Sequence, residues 1–378
     1  MPTAICSTAA ADTAFATPNA NSPTPSIAII GGGITGLLFG LALHTHCPHL
    51  PFLIYEAASS FGEIGAGVGF SPNASRAMRL ISPELHSAFE ELRTPNKWEA
   101  KRETWFDLRL GEDVGETVEE SGPGHEDCKG ASVGGKRVRE GDFIGSIDLG
   151  ETRGGVHRAH FVDAVQKLMP QGTARFGKRL VDVSQDHDGL YVLTFSDTTT
   201  AQASSIVACD GIKSRCRQVL LGDTHSAAKA RYTGKYCYRG LIPMPTAVAA
   251  LGEEEATNSQ MYWMQHKHLL TFPIANGKTM NVVAFASKAE WKSEKWIIEA
   301  SREEMYEDYE GCGKKVKTIL QMMQQPDIWA LFEHKDAETY WKGGMCLIGD
   351  AAHASTPHQG AGTLSFYAGL VSCPYGHS

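Results

Sequence analysis

This chain of 378 residues has no excess of basic charge: 35 Lys and Arg stand against 43 Asp and Glu, a formal net charge of −8. A surface of that balance carries no attractive field for nucleic acid or anionic lipid, so the expected partner is a small molecule, with no nucleic acid and no membrane. The nine cysteines form no C-x-x-C pair and no finger-like spacing. This argues against a disulfide scaffold and a zinc site, and points to a reducing, cytoplasmic setting. Residues 1–25 are rich in Ala, Ser, Thr, Pro and Asn and hold no Lys or Arg. Without basic residues they make a poor secretory or mitochondrial signal and read as a disordered tail. The most apolar run, Ile27 to Leu43, is slightly short for a membrane span and its first part is a glycine turn. A buried strand, turn and helix is therefore expected there.

That turn organises the chain. The strand Ile27-Ala28-Ile29-Ile30 runs into Gly31-Gly32-Gly33-Ile34-Thr35-Gly36, an apolar helix follows to about Leu43, and a second strand, Phe52-Leu53-Ile54-Tyr55, ends in Glu56. In such a G-x-G-x-x-G unit, Gly31 permits the tight turn, Gly33 lets backbone N–H groups approach a pyrophosphate, and Gly36 lets helix and strand pack closely. The phosphates sit on the helix N-terminus, where unpaired N–H groups favour negative charge. Glu56, about twenty residues on, is placed to accept hydrogen bonds from an adenosine ribose. A bound dinucleotide is the expected ligand.

Four glycines crowd the stretch Gly62 to Gly69, alternating with apolar residues, so a loop is expected whose backbone approaches something flat or bulky. The acidic, glycine-rich segment 111–150 reads as an inserted loop. Apolar spacing at Phe161, Val162, Val165 and Leu168 predicts a helix with Arg158 near its N-terminus. The run Ser205 to Cys209 empties into Asp210-Gly211, a strand end where α/β sheets place ligand contacts. Several short β-like runs between Arg231 and Trp291 suggest an antiparallel sheet, and residues 298–333 read as helical with a core stripe of Ile319, Met322, Met323, Ile328 and Leu331. Met345 to Ile348 is again a strand, ending in Gly349-Asp350, and the glycines after Pro357, including Gly362, can present an anion-binding nest. Asp350, His353 and His358 fit a nucleotide site better than a metal site.

Taken together, Gly31 to Gly36 with Glu56, Gly65 to Gly69, Asp210-Gly211, and Gly349-Asp350 to Gly362 resemble the single-component FAD-dependent aromatic monooxygenases, in particular their salicylate hydroxylase-like branch in fungal aromatic and polyketide secondary metabolism. The likeness covers most of residues 26–362. It implies an α/β fold: a Rossmann-like FAD-binding domain over 26–220 (with the insert at 111–150), a mainly antiparallel β-sheet substrate domain over 221–335, and a return to the FAD domain over 336–363. It implies noncovalent FAD, with Glu56 on the adenosine ribose, Gly67 and Gly69 running past the isoalloxazine, Arg158 on the cofactor and Asp350 on the ribityl hydroxyls. Asp210 would lie near the pyrophosphate and the incoming nicotinamide, and Pro357 to Gly362 beside the flavin pyrimidine. NADPH or NADH would act as a transient co-substrate, since no second G-x-G-x-x-G unit follows, and O₂ would react to a C4a-hydroperoxide attacked by a small phenolic ring. Arg239, in the run Tyr236 to Leu241, matches an arginine held to bind the phenolate. Phe272 stands where related enzymes place a tyrosine. Family members continue past the glycine nest into a long helix; here 364–378 form an atypical tail, and Gly362-Thr363 is compatible with a read-through splice donor. A truncated gene product is expected, and its alternative function is that of a catalytically impaired FAD-binding protein.

Overall fold

The computed structural model describes residues 27–61, 67–113, 139–150, 154–324 and 326–359. The expected tail over 1–25, the acidic part of the insert, Gly362 and the tail over 364–378 lie outside the described residues.

Ile27–Ile30, apolar at every position, lies inside a six-stranded sheet with Phe52–Tyr55 on one side and Ser205–Ala208 on the other, both parallel to it. A strand covered on both faces loses the polar alternation of a half-exposed one, which explains the continuous apolar run. Met345–Leu347 extends the sheet in parallel beyond Ser205–Ala208, and Ala174–Arg175 beyond Phe52–Tyr55. Trp341–Lys342 runs antiparallel at the edge. Helix Ile34–His46 covers one face, where Leu37, Leu38 and Leu41 pack with Ile29 and Ile54. Ala28, Ile30 and Ala208 point to the other face and meet Leu193 and Phe195 of a three-stranded antiparallel sheet. Each large side chain fully buried this way contributes roughly 1.5–3 kcal/mol.

The second large sheet has eight strands in the order Ile297–Glu299, Asp327–Glu333, Arg231–Pro243, Thr279–Ser287, Lys267–Ile274, Gln260–Met264, Thr104–Leu110 and Phe143–Asp148. Its pairings are antiparallel except that of Gln260–Met264 with Thr104–Leu110. Alternation along Arg231–Pro243, here called the arginine strand, divides the sheet's two faces. Tyr236 and Tyr238 turn to a core shared with helices Met244–Leu251, Arg302–Asp308 and Lys314–Met322. Cys237 turns the other way, with Val283, Phe285 and Leu331, and Leu270, Phe272 and Trp329 pack beside them.

Three expectations require correction. The stretch 298–333 is not helical throughout: helices Arg302–Asp308 and Lys314–Met322 are followed by strand Asp327–Glu333, which carries Ile328 and Leu331. Gly311, at φ +82°, ends the first helix region, and pairing with the arginine strand takes over after Pro326. The insert 111–150 is partly sheet, because Phe143–Asp148 pairs with Thr104–Leu110. It is an edge strand exposed along much of its length, so its sequence carries no buried period. Gly67–Gly69, expected as loop, is a short strand antiparallel to Gly155–His157. Glycine is required there because a Cβ at Gly67 or Gly155 would lie 2.9 Å from the Phe272 ring. Among the described residues no helix is long and apolar enough to cross a membrane.

Candidate active site

Four parallel strands release their C-terminal ends along one edge, in the order Met345–Leu347, Ser205–Ala208, Ile27–Ile30, Phe52–Tyr55. Sheet order turns back at Ile27–Ile30, the switch point outside which α/β proteins form a ligand crevice. Asp350, Asp210, the glycine turn and Glu56 therefore line one groove. Three strand spacings separate its ends, about 14 Å at ~4.8 Å each.

The glycine turn is built by contact. Gly31 has φ +100°, and a Cβ on it would lie 2.3 Å from the Cys209 carbonyl oxygen; one on Gly36 would lie 1.9 Å from the Gly31 carbonyl oxygen. Gly33 differs, since nothing lies within 4 Å of its Cβ position. It is the N-cap of the helix Ile34–His46 and supplies no side-chain cap to the first N–H groups. Glu56 accepts hydrogen bonds from Gly32 N–H at 2.6 Å and Ala58 N–H at 2.7 Å, which fixes its carboxylate against the turn.

Asp210 accepts from Ser214 Oγ at 2.6 Å and from the N–H groups of Arg215 and Cys216 at 2.8 and 3.0 Å. Desolvation pushes its carboxyl up while these hydrogen bonds hold it down. Gly349, at φ +61°, passes so close to the glycine turn that a Cβ would lie 2.5 Å from Thr35 Oγ1. Asp350 follows. It is open to solvent, yet the protein around it pushes its carboxyl up by desolvation, opposed by Arg158 and His353. A group reached by water but crowded by protein lies in a concavity.

Arg158 opens helix Arg158–Leu168. Desolvation lowers its guanidinium pKa; Asp350 acts against this and Arg239 with it. Arg239 is lowered by burial as well. It donates to the Gly67 carbonyl at 3.1 Å and lies 4.7 Å from the Trp329 ring centroid. Asn281 Oδ1 accepts from Gly67 N–H at 3.1 Å. The Nε of Arg239 and Nδ2 of Asn281, both buried, have no hydrogen-bond partner among the described residues. The glycine strand is thus pinned to the apolar face of the second sheet, where Arg158, Asp350 and Arg239 come within electrostatic reach of one another.

A flavin dinucleotide fits these residues: open Cβ positions at Gly33 and Gly69, an anion-favouring helix start, carboxylates along the groove and cations where it meets an apolar face. The structure gathers Gly31, Gly33, Gly36, Glu56, Asp210 and Asp350 along the groove and Gly67, Gly69, Arg158 and Arg239 at its inner end. Among the described residues no group of three His, Cys, Asp or Glu could hold a metal.

Sequence reasoning missed the rest of that apolar face. Cys237, Leu270, Val283, Phe285 and Trp329 surround Arg239's strand, and His268 stacks on Phe285 at 4.4 Å between ring centroids. His358 approaches both rings, at 5.3 and 4.8 Å. The detectable signal was the two-residue period leading from Arg239 to Cys237 and from Phe272 to Leu270 and His268. Burial, helped by His358 and Lys235, pushes His268 down to about 4, and burial with Arg217 and His353 does the same to His334. From pH 6.5 down to about 4 the unfolded chain binds protons that the folded chain refuses, so stability is full above that window and falls with pH inside it. Melting temperatures measured across this range should decline toward the acid end, and His268→Phe should make the decline shallower.

Comparison with known proteins agrees with this geometry. Residues 163–363 match the family described as an FAD binding domain. The chain is 41% identical over 348 residues to the FAD-dependent monooxygenase pigN of Monascus ruber, covering 90% of this chain and 73% of that protein. It is 38% identical over 341 residues to the 6-methylsalicylate 1-monooxygenase atA of Aspergillus terreus, covering 89% of this chain and 71% of that one. A solved salicylate hydroxylase substrate complex superposes with a TM-score of 0.71 at 32% identity, covering 90% of this chain and 77% of the other. The chain belongs to the FAD-dependent aromatic monooxygenases of the salicylate hydroxylase type.

Proposed function

We propose that the protein hydroxylates a phenolic or polyketide-derived aromatic compound with NADH or NADPH and O₂. FAD, when bound, supplies reduction by the nicotinamide nucleotide and activation of O₂ at its C4a carbon. Gly31, Gly33 and Gly36 would hold the pyrophosphate at the start of helix Ile34–His46, with Asp210 beside it, and Glu56 would hold the adenosine ribose. Asp350 would bind the ribityl chain. Arg158, Gly67 and Gly69 would border the ring system. The nicotinamide nucleotide docks transiently, and the enzyme works in the cytoplasm.

One observation carries the reading of the substrate: Arg239 projects a cation from the apolar face formed by Cys237, Val283, Phe285 and Trp329, directly against the glycine strand. A phenol attacks an electrophilic oxygen better as phenolate, and a cation in a dry setting stabilises that charge without reorganising. The apolar residues keep water from the oxygen-transferring centre. Phe272 offers no hydroxyl, so Arg239 is the partner proposed here for the phenolate. Relatives named for salicylate and 6-methylsalicylate support an aromatic of that kind.

Purified protein tests the reading. It should be yellow with flavin absorbance, and one member of a panel of phenols, salicylate included, should stimulate NAD(P)H oxidation and yield an oxygenated product. Yellow protein that no phenol stimulates would instead identify a catalytically impaired FAD-binding protein.

A further inference from the structure

Behind the sheet, opposite the proposed site, lies a contact that none of these roles uses. Tyr236 and Tyr238 stand two residues apart on the arginine strand, and both hydroxyls donate to one oxygen, Oδ2 of Asp308. Asp308 closes the helix Arg302–Asp308. Its neighbour Tyr309 donates to the Phe285 carbonyl at 2.8 Å, and Lys267 donates to the Asp308 carbonyl. The end of one short helix therefore holds three adjacent strands, Arg231–Pro243, Lys267–Ile274 and Thr279–Ser287. Those strands carry Arg239, His268 and Phe285.

The placement costs something, since a carboxylate at a helix C-terminus faces the negative end of the dipole. Two phenol donors and the Lys267 ammonium offset it. Both phenols are almost fully buried, and burial together with the Asp308 carboxylate pushes their pKa values up, so they remain O–H donors. Paired on both sides with Thr279–Ser287 and Asp327–Glu333, the strand keeps only a small local roll about its axis, and a single hydrogen bond would leave that roll unset. Two donors at positions i and i+2 on one oxygen fix the roll as well as the position. Side chains of neighbouring residues point to opposite faces, so a roll that shifts Tyr238 displaces Arg239 from the Gly67 carbonyl, 3.1 Å away.

We propose that Asp308 is a positioning residue, which sets the roll of the arginine strand through Tyr236 and Tyr238 and so places Arg239 against the glycine strand and the substrate. The substrate half of this inference rests on the reading of Arg239 as the phenolate's partner. The test uses the FAD-loaded full chain with Asp308→Ala and Asp308→Asn, the latter keeping an oxygen that accepts a phenol proton. Amide hydrogen exchange at Gly67 should be about tenfold faster in Asp308→Ala and nearer wild type in Asp308→Asn, with residues 27–43 unchanged. With salicylate as the probe, kcat/KM should fall about tenfold in Asp308→Ala, and the double variant with Arg239→Met should be no worse than Arg239→Met alone. Gly67 exchange at the wild-type rate would overturn the proposal, as would acceleration spread equally over residues 27–43, or kcat/KM effects that multiply. A wild-type enzyme that salicylate does not stimulate would count against the phenolate reading, and the exchange measurement by itself then decides the role of Asp308. Should Asp308→Ala fail to fold, Tyr238→Phe carries the same expected and overturning results.

Discussion

Arg239→Met is expected to lower the phenol-stimulated rate about 100- to 1,000-fold while the protein stays yellow. Methionine keeps much of the volume and the contact with Trp329 but removes the charge. Loss of the preorganised cation that keeps the phenol ionised has effects of that order because, in a site with little water, nothing else solvates the charge. Arg239→Lys should recover little. The guanidinium reaches the Gly67 carbonyl at 3.1 Å while stacking over Trp329 at 4.7 Å, and an ammonium on a flexible stem cannot do both. Steady-state NAD(P)H oxidation with and without the phenol measures the effect. A methionine variant within twofold of wild type would reduce Arg239 to a tether for the glycine strand.

The glycine turn gives the second large effect, and two of its positions should fail for different reasons. Gly36→Ala should destabilise the protein by roughly 3 kcal/mol or more, because the new methyl would meet the Gly31 carbonyl oxygen at 1.9 Å and backbone cannot yield. Little soluble protein is expected. Gly33→Ala should fold with an almost unchanged melting temperature, since nothing lies within 4 Å of the new carbon. Its FAD affinity should nevertheless fall about 100-fold or more, because that open space is where the phosphates must approach the N–H groups of the helix start. Thermal melts of the apoprotein and titration with FAD, followed by flavin fluorescence, separate the two. Wild-type affinity in Gly33→Ala would remove the pyrophosphate from this turn.

Legibility varied along the chain with the kind of burial. Ile27–Ile30 and Ser205–Ala208 are covered on both faces and announce themselves as apolar runs ending in Gly or Asp-Gly. Asp327–Glu333 carries a helical signal in sequence because its alternation is short and follows two genuine helices, and what makes it a strand is the distant Arg231–Pro243. Phe143–Asp148 has one neighbour and little burial, so no local pattern records it. Gly67–Gly69 looked like a loop because glycine weakens strands. Its pairing with Gly155–His157 and its hydrogen bonds to Asn281 and Arg239 come from residues more than eighty positions away.

From the order of residues alone come the dinucleotide turn, the acids at strand ends, the two-part architecture and the likeness to flavin hydroxylases, because each is written in local spacing of glycine, acid and apolar side chains. Which residues of the arginine strand face the glycine strand was decided only by the packing of the antiparallel sheet. A strand's two faces are equivalent until its neighbours cover one of them, and here the helices behind Tyr236 and Tyr238 claim one face and leave Cys237 and Arg239 to the other.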